Sequence, residues 1–232
     1  MNPRAARSGG TLTPTVVALR MGIAVPLVYF GVQLAAAPFY PGYSFLARDA
    51  STLGSPGSSL PGIFNAGVLI AGVLALVGSV GYFSALRQLR ARTLLAWLTA
   101  AAVACGGLGA VNAGLFPLPD PRHTDGLLAQ IGMGLFPLPI LLPAAIWRLP
   151  HADAMRRYLV ANALVLAAFV PVISGLVQRA AMAAGVDLPA YQYVLDNCQG
   201  LLQRLAAATV FVPIGVVAWF LAREIKRQGD RQ

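Results

Sequence analysis

Six long apolar stretches, joined by short loops in which arginine gathers on every second turn, constrain this chain more than any other feature. The stretches cover residues 16–37, 62–86, 93–116, 126–147, 158–177 and 199–221. At about 1.5 Å per helical residue, each can cross a hydrocarbon core of about 30 Å. Only 11% of the residues are charged, against about 25% in soluble domains. The expectation is an all-α fold: a polytopic membrane bundle of six transmembrane helices. Residues 1–15 form a tail, 16–221 the membrane domain and 222–232 a basic tail, with no room for a separate soluble domain.

The net charge of +9 would point to nucleic acid in a soluble protein. Here the cations sit at helix ends. Arg4, Arg7, Arg20, Arg87, Arg90, Arg92, Arg148, Arg156, Arg157, Arg223, Lys226, Arg227 and Arg231 fall on one side, and Arg48, Arg122, Arg179 and Arg204 on the other. Thirteen against four in alternating loops is the positive-inside pattern. It places both termini in the cytoplasm and leaves no nucleic-acid partner to expect. Asp49, Asp120, Asp125, Asp187 and Asp196 lie on the outer side. Arginine in place of lysine, with abundant Ala, Gly and Pro, fits a bacterial cytoplasmic membrane protein from a GC-rich genome.

The first stretch ends in Ala35-Ala36-Ala37, which resembles a signal-peptide cleavage site. Pro38 would follow the cut and constrain an extended cleavage geometry, so an uncleaved helix is expected. Cys105 lies mid-span and Cys198 near a mouth, a depth difference that argues against a disulfide. Two Cys and two His without ligand spacing give no metal site, and no cofactor is expected. Pro26, Pro137, Pro139, Pro143, Pro171 and Pro213 interrupt the spans. Span four carries three of them and should be the most irregular. Gly67, Ala71, Ala75, Gly78, Gly106 and Gly107 suit close helix packing. The hexapeptide Gly-Leu-Phe-Pro-Leu-Pro occurs at 114–119 and 134–139. Its two positions are not equivalent, so it marks no inverted repeat.

Polar side chains in lipid are costly and point to function. Gln33, Asn65, Asn112, Gln130, Gln178, Gln203 and Arg204 cluster at the outer ends, while the inner halves hold little beyond Ser79, Ser84, Thr99 and Asn162. This asymmetry implies an outward-facing polar pocket capped by the outer loops. Arg204 shares a helix face with Gly200 and Gln203. It needs a carboxylate, backbone carbonyls or a route to the headgroups. Asp49, Asp120 and Asp125 are candidate partners. The loop 116–125 adds Arg122 and His123, which with Asp120 or Asp125 could form an acid–base pair. It could also bind a cation or phosphate, or be an ordinary polar loop whose Thr124 or Asp125 caps span four. Ser51, near Asp49, is a candidate nucleophile without an elbow motif.

Several short elements recur in order along the chain. They are Pro41-Gly42-Tyr43-Ser44, Asp49-Ala50-Ser51-Thr52-Leu53-Gly54 and Phe64-Asn65-Ala66-Gly67. Gly114-Leu115-Phe116-Pro117 with Asp120 and His123 follows, then Gly200-Leu201-Leu202-Gln203-Arg204. Together they resemble the prokaryotic membrane-protein family catalogued as domain of unknown function 998. The resemblance implies a multi-helix membrane fold of this size and no settled activity. In one departure, Thr52 stands where the family commonly places an acidic residue after the serine.

Three functions compete. The favoured one binds a lipid headgroup or small polar ligand through Arg204, Gln203, Asn65, Asp49 and Arg122, with membrane lipids as partners. The second is a lipid or amide hydrolase using His123, Asp120, Asp125 and Ser51. It would be similar to the ceramidase-and-receptor superfamily, whose metal-binding histidines are mostly missing here. The third is a transporter, which the apolar inner halves disfavour.

Overall fold

The computed structural model describes residues 13–173, 176–186 and 188–231. Arg4, Arg7 and Asp187 lie outside them. The chain forms α1 (Pro14–Ala36), α2 (Pro61–Gln88), α3 (Thr93–Leu115), α4 (Arg122–Asp125), α5 (Leu127–Gly132), α6 (Leu138–Ile146), α7 (Asp153–Ile173), α8 (Leu176–Ala183) and α9 (Pro189–Gly229). Short 3₁₀ turns occur at Ala37–Phe39, Ala50–Gly54 and Met133–Leu135. Five helices are long and apolar enough to cross a membrane. The segments Leu127–Leu135 and Leu138–Ile146, bent by 43°, bring the number to six when the bent pair is counted as one span. The bundle expected from the apolar stretches is therefore present, and span four is its irregular member.

Local chemistry explains the boundaries. Thr13 caps α1 by accepting from the Val16 N–H, and Pro14 occupies a first-turn position where its missing donor costs nothing. Pro137 and Pro139 fall at the start of α6, so the break in span four sits where two backbone donors are absent. α2 ends in a Schellman-type closure, in which Ala91 N–H donates to Leu86 O at 2.9 Å and Arg90 turns into the left-handed region at φ 59°.

Small residues set the helix spacing. A Cβ on Gly72 would sit 2.7 Å from the Gly107 carbonyl oxygen across the α2–α3 contact, and one on Gly78 would sit 2.9 Å from Gly22 Cα across α1–α2. Pro213 removes the donor that Thr209 O would receive within α9. Asn162 of α7 replaces it, donating at 2.7 Å.

The core has two parts. At the arginine-rich end Leu19, Tyr82, Leu86, Leu138, Leu142, Ile214 and Leu221 pack together, each at most 1% exposed. At the opposite end Ala36, Phe64, Val68 and Ala110 enclose Ala50 and Leu53, which come from the loop after α1.

Two boundaries differ from the sequence reading. α7 begins at Asp153 rather than near residue 158, because an Asp153–Arg156 ion pair one turn apart extends the helix beyond its apolar part. α8 and the first two turns of α9 add helix between spans five and six, and α9 is broken at Cys198 (φ −121°, ψ 16°). The span proper starts at Asn197, close to the expected residue 199.

Candidate functional site

α9 departs from helical geometry at Cys198. The loop after α1 bonds to the turn that follows this departure. Leu201 N–H donates to Leu46 O at 2.9 Å. Gln199 Nε2 donates to Asp49 Oδ2 at 3.2 Å, which places a carboxylate near a helix start. In return Ala50 N–H donates to Gln203 Oε1 at 2.7 Å. Gly200 permits this approach, since any Cβ there would overlap the Arg48 carbonyl.

Arg204 lies one turn further along α9. Its Nε donates to Gln33 Oε1 at 2.9 Å. Nη1 donates to Phe45 O at 3.0 Å, Arg48 O at 2.9 Å and Gly200 O at 2.7 Å, and Nη2 donates to the Tyr43 hydroxyl. The guanidinium also sits 5.0 Å from the Phe45 ring centroid. Backbone carbonyls and neutral side chains thus satisfy this cation. Among the described residues no carboxylate forms an ion pair with it. Gln33 is 2% exposed and is itself anchored by a 3.1 Å bond to Tyr29 O.

Asp49 feels Arg204 from beyond ion-pair range. Burial pushes its carboxyl above the usual range, while Arg204 and the Gln199 bond pull it back, and Oδ1 is buried without a partner. Burial likewise raises the Tyr43 hydroxyl, against Arg204. The far end of the Ala50–Gly54 turn is held by Asn65, whose Nδ2 donates to Gly54 O at 3.1 Å. Ser51 is partly buried on this turn and forms no side-chain hydrogen bond among the described residues.

A second polar group lies in the loop after α3. Asp120 and Arg122 pair side-on, with Nε–Oδ1 at 3.0 Å and Nη2–Oδ2 at 2.7 Å, and Arg122 N–H also donates to Oδ1 at 2.9 Å. The Arg122 guanidinium and then its backbone N–H hold the Asp120 carboxyl below its usual range. The Arg122 guanidinium lies 4.1 Å from the Phe116 ring centroid. Buried Asn112 at the end of α3 donates to the carbonyls of Arg122 and His123, at 2.9 and 3.2 Å. Asp125 is exposed. Gly126, rather than Thr124 or Asp125, is the N-cap residue of α5, without a side-chain cap.

His123 Nδ1 lies 2.8 Å from Phe116 O. A carbonyl only accepts, so Nδ1 carries the proton, and in the neutral ring Nε2 is an acceptor. Among the described residues Nε2 has no hydrogen-bond partner.

Beneath His123 opens a cavity of about 510 Å³. His123, Thr124 and Gln130 give it polar edges, while Gly106, Gly109, Val68, Met133 and Leu135 are among its apolar walls. Tyr29 and Phe211, stacked at 4.4 Å, close another side. The break in span four makes the space: Gly132 and Gly109 approach within contact of each other's backbone, while the chain beyond them bends away.

The predicted site residues therefore fall into two groups. Asp49, Gln203 and Arg204 converge, with Asn65 holding the other end of the same turn. Asp120, Arg122 and His123 form a separate loop cluster. Sequence reasoning overlooked Tyr29, Gln199 and the cavity. Tyr29 stands one turn before Gln33 on the same face, which was the available signal.

The fold and its polar end define a multi-pass helical membrane protein. The chain belongs to the family described as "Protein of unknown function (DUF998)", whose profile matches residues 23–220. No curated protein and no solved structure matches it.

Proposed function

We propose that the protein binds a membrane lipid in the cavity beneath His123. The headgroup lies at His123, Thr124 and Gln130, and the chain lies along Gly106, Gly109 and Leu135. The observation that carries this reading is a polar-rimmed, apolar-walled cavity within the membrane bundle, edged by a histidine whose Nε2 is a free acceptor. Its volume falls within the range of about 300–1,000 Å³ typical of small-molecule sites. A headgroup hydroxyl or amide N–H would be the matching donor. Arg204, Gln203, Asp49 and Asn65 support the site indirectly by holding the first loop, and Arg122 is engaged by Asp120.

The orientation that fits this reading has both termini in the cytoplasm and the cavity opening toward the outer leaflet. Its support is the alternation of arginine across the loops.

The hydrolase reading draws less support. A backbone carbonyl, rather than a carboxylate, holds His123 Nδ1, and Asp120 is occupied by Arg122. Transport draws less still, because Tyr82, Leu138, Leu142 and Ile214 fill the bundle toward the other end.

The test is lipid analysis of protein purified in mild detergent. His123→Ala should lower retention of the co-purifying lipid, and Ala113→Leu, which fills the cavity wall, should lower it independently. Unchanged lipid in both variants, with normal helicity, would sink the proposal. Turnover of a lipid by the wild type and not by His123→Ala would favour the hydrolase instead.

A further inference from the structure

At the arginine-rich end, a groove of about 560 Å³ runs between the α2–α3 turn, the end of α6 and α7. Arg90, Arg92 and Arg148 line it, and no Asp or Glu does. All three arginines are exposed, and among the described residues none of their guanidinium groups makes a hydrogen bond or ion pair. Several other cations at this end are occupied. Arg87 donates to Thr93, Arg156 pairs with Asp153, Arg227 pairs with Glu224, and Arg223 lies over Trp219. Three guanidinium groups without a partner in the described chain thus border one groove and give it a positive rim suited to an anion.

The groove's other wall is apolar. Leu95, Ile140 and Val160 lie along it, and Ile140 is 73% exposed. Trp147, 54% exposed, stands at its edge, as aromatic residues do at the headgroup level. An ion alone would leave this wall bare, whereas a phosphate carrying acyl chains covers both surfaces.

Arg90 also closes the preceding helix. It occupies the left-handed position that closes α2, with φ 59°, where glycine is the usual residue. A side chain with a Cβ is disfavoured in that conformation. From that position Arg90 lines the groove.

We infer that this groove binds an anionic phospholipid of the adjacent leaflet, its phosphate held by Arg90, Arg92 and Arg148 and its chains lying along Ile140 and Val160. Such basic pockets at helix ends suit lipid phosphates. This site is separate from the cavity beneath His123 and does not depend on it.

The test uses the full chain in phosphatidylcholine nanodiscs with increasing phosphatidylglycerol. Bound phosphatidylglycerol is read by native mass spectrometry and stability by melting. Each of Arg90→Gly, Arg92→Gln and Arg148→Gln should weaken phosphatidylglycerol binding by about fivefold. Arg90→Gly should also melt about 2–4 °C higher in neutral detergent, since glycine relieves the left-handed position. Arg20→Gln removes another exposed charge at the same end outside the groove and should leave binding unchanged. Equal losses in Arg20→Gln would overturn the inference in favour of a diffuse surface charge. Lower melting together with lipid loss in Arg90→Gly would overturn it too, as would protection by inorganic phosphate equal to that by the lipid.

Discussion

Replacing Arg204 by Met keeps an unbranched apolar stem beside Phe45 and removes the guanidinium alone. Five oxygen atoms then lose a charged donor: Gln33 Oε1, the Tyr43 hydroxyl and the carbonyls of Phe45, Arg48 and Gly200. A hydrogen bond to a charged group contributes about 1.5–3 kcal/mol, but bonds sharing one donor group do not add. The Phe45 and Arg48 carbonyls belong to exposed loop residues and can turn to water. Gln33 Oε1 has less access, because that residue is 2% exposed. We expect a net loss of about 3–4 kcal/mol in the docking of the loop after α1. That corresponds to an opening equilibrium shifted by about 100- to 1,000-fold. Hydrogen exchange reads it directly at the amides of Leu201 and Ala50, which bond across this contact to Leu46 O and Gln203 Oε1. Amides around buried Tyr82 and Leu142 serve as internal references. Exchange unchanged at Leu201 and Ala50 would refute the clasp. Acceleration spread equally to the reference amides would refute its local character. Arg204→Lys should fall between the two, because a point charge cannot satisfy the same fork of acceptors.

Three further outcomes follow from the structure. Burial raises the Asp49 carboxyl above its unfolded value, so folding favours its protonated form. The docked loop should gain stability as pH falls from neutral toward the ordinary carboxylate range, and Asp49→Asn should flatten that dependence in a melting series; a wild-type loop that loosens over this interval would contradict the sign. Asn162→Leu should cost about 1–3 kcal/mol by leaving Thr209 O without a donor, and adding Pro213→Ala, which restores a backbone N–H, should recover most of it; additive losses in a double-mutant cycle would exclude the coupling. Gly72→Ala places a methyl 2.7 Å from the Gly107 carbonyl and should destabilise the α2–α3 contact by about 1–3 kcal/mol in denaturant melts, with no change expected from Gly31→Ala, whose Cβ would meet no atom within 4 Å.

The spans were legible because lipid allows little else: apolar length, charge at the ends and proline in span four each leave a local mark. The added helix at α8 and the start of α9 was not, since its residues are polar enough to read as loop. The candidate site was legible as a list of residues and not as a set of contacts. Arg204 required oxygen acceptors by its depth alone, yet the choice of carbonyls over Asp49, Asp120 or Asp125 depends on a loop more than 150 residues away. Asn65 and Gln203 stood out as polar groups near lipid. That they hold a loop rather than face open space follows from Gly54 and Gly200, where the absence of a side chain lets the backbone come close. The cavity left no sequence mark of its own, because a bend, three glycines and residues from α1, α2, α3 and α9 form it together.

The break at Cys198 also bears on how the protein is made. The first turn of the last span is completed by chain synthesised some 150 residues earlier. The loop after α1 can bury Ala50 and Leu53 and bond to Asn65 once α1, α2 and α3 are in place, but its contacts to Gln199, Gln203 and Arg204 wait for the last span. A chain stopped before Gln199 would therefore hold this loop at one end only, which would distinguish an unfinished molecule from a finished one.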